Sequence, residues 1–374
     1  MKLKIERSDF VTLLFRAQNI AEKRNTMPIL INVLLDAKED RLKVFVTDLE
    51  LSLTDEVVAS VSEPGKVVVN AKSLFEMLKE LPDGPIEIEK RENNWLHIKQ
   101  NQIESNIVGI SPDEYPVFPS YSTDRFVKVD PQVLSEMIEK TIYSVSNDET
   151  RYHLNGVFFH PFDESGHKGF RMVATDGHRL SLIERQTKTE GGVGNLNSRG
   201  VIIPRKGLNE IRKMLDHVDG SIEMAIEEAQ LVVCSETTVL MIRLIEGKYP
   251  NYQKLIPQDM SQRLLVKRDD LLSSLKRVSI FSNQKSKGVT LNLTSGRMEI
   301  SSKNPELGDA RETINVDYDG KDICIGFNAK YILDVLSSMN NDTVQIQLND
   351  QLSPGLVRPQ DDESYTCVVM PMRI

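Results

Sequence analysis

Cysteine is nearly absent from this chain of 374 residues: there are three, Cys234, Cys324 and Cys367. They stand far apart, each in an apolar run, which excludes a disulfide framework and a Cys/His zinc site. The expectation is three small buried hydrophobes in a reducing cytoplasm. No apolar run approaches the roughly 20 residues that span a bilayer, so no membrane partner is expected. The opening stretch "MKLKIERSDF" alternates charged and aliphatic residues and has no signal-peptide core. A basic surplus is missing too: 46 Lys and Arg face 55 Asp and Glu, a formal net charge of −9. Alone, that argues mildly against a nucleic-acid partner, though a total says nothing of distribution. Hydrophobic residues at 40% and charged ones at 27% are ordinary for a globular protein. The length calls for two or three domains.

Catalytic signatures are also lacking. There is no Gly-x-Ser-x-Gly elbow to supply a nucleophile. "GGVGNLNSRG" (191–200) has neither the G-x-G-x-x-G nor the G-K-[ST] spacing of a phosphate cradle, and reads as a surface loop. His153, His160 and His167 recur every seven residues, which suits neither a helical i, i+4 ligand pair nor a zinc pattern. Asp361, Asp362 and Glu363 read as solvated turns, not as general acid-base partners. No enzyme, metal site or cofactor is expected.

What is present is repetition. "MKLKIERSDFVTLLFRA" (from Met1), "RFVKVDPQVLSEMIEKT" (from Arg125) and "RLLVKRDDLLSSLKRVS" (from Arg263) each give a short alternating strand, an Asp or Ser helix cap and an amphipathic helix. In the second, Asp130 caps and Pro131 takes the first helical position. Further along, "GKVVVNAKSLFEMLKELPDG", "RGVIIPRKGLNEIRKMLDHVDG" and "KDICIGFNAKYILDVLSSMNND" each give a β-branched strand, a polar break and a helix. Paired strands lie between and after these units, and the copies end in "DEYPVFP", "KYPNYQKLIP" and "CVVMPMRI". The chain thus reads as an α+β protein of three tandem domains, 1–124, 125–258 and 259–374, each a doubled β-α-β unit. Together they carry six helices.

"ATDGHRL" (174–180) joins two alternating strands and has Asp and Gly where a tight turn needs them. The first copy has "VTDLELSL" (46–53) in the same place. The Thr-Asp pair therefore belongs to the repeat, while His178 and Arg179 are particular to the second copy. A strand-turn-strand with polar residues and a binding surface both remain open; a catalytic His178/Asp176 dyad lacks a nucleophile. Basic residues recur on or just after predicted helices: Lys23 and Arg24; Arg205, Lys206, Arg212 and Lys213; Lys276, Arg277, Lys285 and Lys287. They form either a solvated helical face or a sequence-nonspecific phosphate-facing surface.

Taken together, "ATDGHRL", "VIIPRKG", "KYPNYQKLIP", "GFNAKYILDVL" and the terminal "VVMPMR", in this order over the whole chain, resemble the family of bacterial DNA polymerase III beta subunits, the sliding clamps. The resemblance implies a head-to-tail homodimeric ring of DNA-clamp domains with helices inside and sheets outside. Twelve helices packed about 10 Å apart would give a ring of axes roughly 38 Å across. Subtracting one helix diameter of about 10 Å leaves an opening of about 28 Å, wide enough for duplex DNA held topologically and without sequence preference. The family's partners are the replicative polymerase alpha subunit, the clamp loader and other clamp-motif proteins, in the cytoplasm.

Their peptide tails dock, by the same resemblance, between the second and third domains. The matching positions here are Arg151, Leu154, Thr175, Gly177, His178, Arg179 and Leu180, then Pro250, Lys254, Leu255, Asn328, Tyr331 and Leu352. The wall is completed by Val368, Val369, Met370, Pro371, Met372 and Arg373. Leu180, Leu255, Val369, Pro371 and Met372 would line an apolar cleft, with His178, Arg179, Tyr331 and Arg373 as hydrogen-bonding rim. Arg24, Tyr152, Arg205 and Lys206 match DNA-binding positions, and Ile280 and Phe281 the apolar anchors of the subunit contact. Lys254 stands where an arginine is common in the family, Pro354 replaces a small polar residue, and Asp148 and Glu149 add acid beside Arg151. These departures bear on partner preference and local DNA contact.

Overall fold

A computed structural model describes residues 1–374 apart from 22–26, 123–125, 165–166, 188–198, 217, 219, 228, 259 and 374. Lys23, Arg24 and most of "GGVGNLNSRG" therefore lie outside the described residues. Among the described residues each of six α-helices follows on a strand, directly or, for α3, after Asp130 alone. Lys2–Glu6 leads into α1 (Arg7–Gln18), Gly65–Asn70 into α2 (Ala71–Lys79) and Val127–Val129 into α3 (Pro131–Glu139). Val201–Pro204 leads into α4 (Arg205–Leu215), Gln262–Lys267 into α5 (Arg268–Val278) and Ile323–Asn328 into α6 (Ala329–Ser337). The buried faces follow the helical period. In α1 they are Phe10, Leu13, Leu14 and Ala17, and in α5 Leu271, Ser274, Leu275 and Val278, both at i, i+3, i+4 and i+7.

The expected Asp or Ser caps do not form at α1 and α5. Glu6 and Lys267 hold the cap positions with extended backbone, and neither side chain caps. The strand runs straight into the helix, so Asp9, Asp269 and Asp270 fall in the first helical turn. There their carboxylates face the positive end of the helix dipole instead. Asparagine caps α2 and α6: Asn70 Oδ1 accepts from Ser73 N and Asn328 Oδ1 from Lys330 N, both at 2.9 Å. The cysteines also differ from expectation. All are free thiols, and Cys367 is buried, but Cys234 is half-buried and Cys324 exposed. Cys324 sits at an outward-facing position of its alternating strand.

The described residues fall into two compact units. The first takes those of Met1–Pro131 and Asn209–Leu244, the second those of Gln132–Lys188, Asn197–Leu208 and Ile245–Ile374. The first holds a 5-stranded and a 9-stranded sheet, the second an 8-stranded and a 4-stranded one.

One rule links the repeats. Each helix is followed by at least three strands, and for four of the six helices the third is a joining strand. In the first unit Leu51–Val58, third after α1, pairs antiparallel with Thr238–Arg243, third after α4. In the second unit Arg179–Gln186, third after α3, pairs antiparallel with Tyr365–Val369, third after α6. Among the described residues two third strands have no such match: Ile103–Ile107 ends the 5-stranded sheet and Gly308–Asn315 the 4-stranded one. Such open edges expose backbone donors and acceptors that invite another strand.

Candidate functional site

The site grows from the turn between strands His167–Thr175 and Arg179–Gln186. Thr175 Oγ1 donates to the Arg179 carbonyl (2.6 Å) and accepts from Gly177 N (3.1 Å). Asp176 Oδ1 accepts from the amides of His178 (2.9 Å) and Arg179 (3.1 Å). Gly177 takes φ of +89°, a conformation costly for residues with a Cβ. The first copy builds the same turn: Thr47 Oγ1 donates to Leu51 O (2.8 Å) and Asp48 Oδ1 accepts from Glu50 N (2.9 Å) and Leu51 N (2.6 Å). Even the flanking contact repeats, Met370 N to His178 O and Arg243 N to Glu50 O, each 2.8 Å. The Thr-Asp pair is thus turn chemistry. The Asp176 carboxylate is committed to these amides and to Arg179 Nε at 3.1 Å. The His178 ring instead stacks on Tyr331, centroids 6.2 Å apart and planes at 15°.

Beneath the turn lies an apolar floor. Leu154, Val173, Leu180, Leu182, Ile202, Tyr249, Tyr252, Leu356 and Val368 form one buried cluster, with Phe158, Ile245, Ile256 and Met260 packed against it. Tyr249 and Tyr252, which sequence reasoning missed, belong to "KYPNYQKLIP". Leu154, Leu180 and Val368 are therefore brought together, and Val369 pairs in register with Arg179. Leu255 (46% exposed) and Met370 (42%) are uncovered apolar surface. Pro250 is half-buried and Lys254 exposed. Leu352, at 70% exposure in the loop anchored by Asp350, takes no part in the buried cluster. Past the last strand the chain is stitched by backbone bonds from Met370 N to His178 O and from Met372 N to Gly326 O, 2.8 Å each. Pro371 and Met372 are half-buried there, and Arg373 is exposed.

Arg179 does not stand at the rim as expected. It is 7% exposed, and its guanidinium is held by Asp176, by Asp334 Oδ2 at 2.6 Å and by the Tyr143 carbonyl. Its Cζ lies 4.6 Å from the Tyr331 ring centroid. Asn328 likewise has its amide oxygen engaged as the α6 cap. Arg151 pairs with Asp148 (Nε to Oδ2, 3.0 Å), and its Nη1 lies near Gly177. Sequence reasoning missed Tyr143 and Asp334. Only Asp334 left a trace, three residues after Tyr331 on one helix face.

Several expected phosphate-facing cations are already engaged. Arg205 donates to the carbonyls of Val145 (2.6 Å) and Ile142 (3.4 Å) and to Asn147 Oδ1. Burial and the nearby Arg179 charge pull its pKa down. Arg205 therefore ties the 142–147 segment to the start of α4 instead of standing free for DNA. Arg277 is held by Glu312, Nε to Oε2 2.9 Å, and Lys213 by Glu210 at 2.7 Å. Tyr152, by contrast, is 57% exposed, and Lys206 is half-buried at the start of α4. In the turn after α5, Ile280 is 67% exposed and Phe281 half-buried. Among the described residues no His, Cys, Asp and Glu cluster could hold a metal ion, and no helix is long and apolar enough to cross a membrane.

The chain matches the N-terminal domain of the DNA polymerase III beta subunit over residues 1–119, its central domain over 128–251 and its C-terminal domain over 253–373. The beta sliding clamp of Caulobacter vibrioides is 35% identical over 376 residues, and that of Vibrio cholerae 32% over 375, each covering 100% of both chains. Among solved structures, the DNA polymerase sliding clamp of Caulobacter crescentus superposes with a TM-score of 0.93 at 34% identity. A sliding clamp from Bartonella birtlesii bound to griselimycin gives 0.95 at 30% identity, again with 100% of both chains covered. Over its whole length, with all three domains in order, the chain belongs to the DNA polymerase III beta subunit family, the beta sliding clamps, which serve DNA replication as non-catalytic processivity factors.

Proposed function

We propose that two copies of this chain join head to tail into a ring that encloses duplex DNA, slides along it without reading sequence, and tethers the polymerase through the cleft beside His178. The observation that carries this is the joining-strand rule. The same strand pairing occurs twice within the chain, and each chain leaves one unmatched partner of either kind, Ile103–Ile107 and Gly308–Asn315. Pairing one copy's Gly308–Asn315 with another's Ile103–Ile107 repeats the seam between chains and uses up both open edges. Ile280, Phe281 and Leu307, the last 53% exposed, lie next to the Gly308 edge in sequence or by packing of α5 and would anchor that contact.

In this reading the three domains are 1–124, 125–258 and 259–374. Tyr152 and Lys206 face the duplex, with Arg205 shaping the backbone beside them. The cleft takes the tail of the polymerase alpha subunit and, in turn, of the clamp loader and other clamp-motif proteins in the cytoplasm. Its floor at Leu154, Leu180 and Val368 receives apolar anchors, while Met370 and Met372 adapt to different partners.

The test is retention on DNA. Loaded by its clamp loader onto nicked circular plasmid, the protein stays bound through gel filtration and is lost when one cut linearises the plasmid. Equal retention on circle and line overturns enclosure.

A further inference from the structure

Neither the repeat pattern nor the resemblance singles out Asp334. It sits on α6 three residues after Tyr331, and its Oδ2 takes Arg179 Nη1 at 2.6 Å. Arg179 is the joint of the cleft. One guanidinium binds the turn through Asp176 Oδ2 (3.1 Å), α6 through Asp334, and the 3-10 segment Ile142–Ser144 through the Tyr143 carbonyl. Its planar fork holds three acceptors in fixed directions, where a lysine would offer only a compact, rotatable point charge. The same guanidinium lies over Tyr331 at 4.6 Å, while His178 stacks on that ring.

Tyr143 is itself held from behind. Its hydroxyl meets Tyr365 Oη at 2.8 Å and accepts from Ser181 Oγ at 2.7 Å, and Tyr365 Oη meets Ser338 Oγ at 2.7 Å. Of the three acceptors around Arg179, Tyr143 is thus buttressed by packing, and Asp176 is bound to its own turn. Asp334 is the one that ties the turn to the helix bearing Tyr331.

We propose that Asp334 is a positioning residue for the docking cleft: by holding Arg179 it sets the Tyr331 ring and the His178 turn at the spacing a peptide tail needs. The proposal rests on the cleft being the docking site. With Asp334 neutralised, Arg179, 7% exposed in the wild-type chain, is left beside a single carboxylate. The guanidinium then shifts toward Asp176 and releases Tyr331. The shape of the apolar floor, which does not include Asp334, is unchanged.

The experiment uses the full-length dimer and a fluorescein-labelled synthetic peptide copied from the C-terminal tail of the polymerase alpha subunit. Anisotropy titrations are run well below the melting temperature of every variant. Asp334→Asn should weaken peptide binding about tenfold or more, with dimer mass by light scattering unchanged. Hydrogen exchange at the 177–180 amides of the peptide-free protein should quicken. Asp334→Glu, which restores the charge, should bind within about threefold of wild type. A merely structural role would lower the melting temperature and leave affinity per folded dimer untouched. If Asp334→Asn does not fold, Asp334→Ser replaces it with the same expectation. Affinity within twofold of wild type together with unchanged exchange overturns the positioning role. A wild-type protein that ignores the peptide overturns the docking reading itself, which the variant result cannot mimic.

Discussion

Gly177 and Leu49 hold the same place in the same turn, with φ of +89° and +76°. The first copy tolerates a side chain there, at 52% exposure, because the Thr47 and Asp48 hydrogen bonds over-determine the backbone. In the second copy glycine removes that strain. A Cβ on Gly177 would come within 2.9 Å of Arg151 Nη1, the movable end of a long side chain. The cost of Gly177→Ala is therefore mainly conformational. It should lower stability by about 1 kcal/mol, read as a lower urea midpoint without change of slope. No loss would mean the turn relaxes to another geometry.

At the scale of elements, α3 is fastened to the sheet by charge. Glu136 on α3 accepts from Arg185 Nε (2.8 Å) and Nη2 (2.6 Å) and from Lys140 Nζ (2.7 Å). Arg185 reaches on to Asp362 at 2.9 Å. The Arg185 hydrogen bond, ahead of Lys140, draws the Glu136 carboxyl down from 4.5 to about 2. A depressed pKa stabilises the folded state above the unfolded value and loses that contribution as the proton returns. Glu136 therefore supports the fold fully above about pH 4.5, and this support fades as pH falls toward 2. Melting temperatures of wild type and Glu136→Gln should differ above pH 5 and converge near pH 2. The carboxylate is 36% exposed, so solvent screening keeps the difference modest. Parallel curves across the whole range would show the ion pair to be idle.

For the whole molecule the decisive matter is how an acidic chain, at −9, keeps hold of a polyanion. Attraction is weakened where Arg205, Arg277 and Lys213 are engaged by the protein's own carbonyls and carboxylates. Enclosure needs only a closed seam. In the proposed ring, Ile280→Arg puts a charge into the seam and should raise the dimer dissociation constant about 100-fold or more, read by sedimentation. Retention on nicked circles should fall with it while peptide affinity stays put. A tight dimer of the variant would move the subunit contact elsewhere on the chain.

Along the chain, local pattern determined a good deal by itself. The i, i+3, i+4, i+7 faces of α1 and α5 are legible because helix periodicity involves residues within two turns of each other. The Thr-Asp turn is legible because its hydrogen bonds span two to four residues. The threefold copying and the family likeness follow from the same local patterns repeated. Only the tertiary structure decided which cations are free, since Arg179 meets Asp334 across 155 residues and Arg205 meets Val145 across 60. It decided too that the joining strands pair between copies, that Cys324 faces out, and that Glu6 and Lys267 precede their helices without capping them. Periodicity tells a residue's face, but a charged group's partner is whatever the fold brings within about 3 Å, and no local pattern carries that distance.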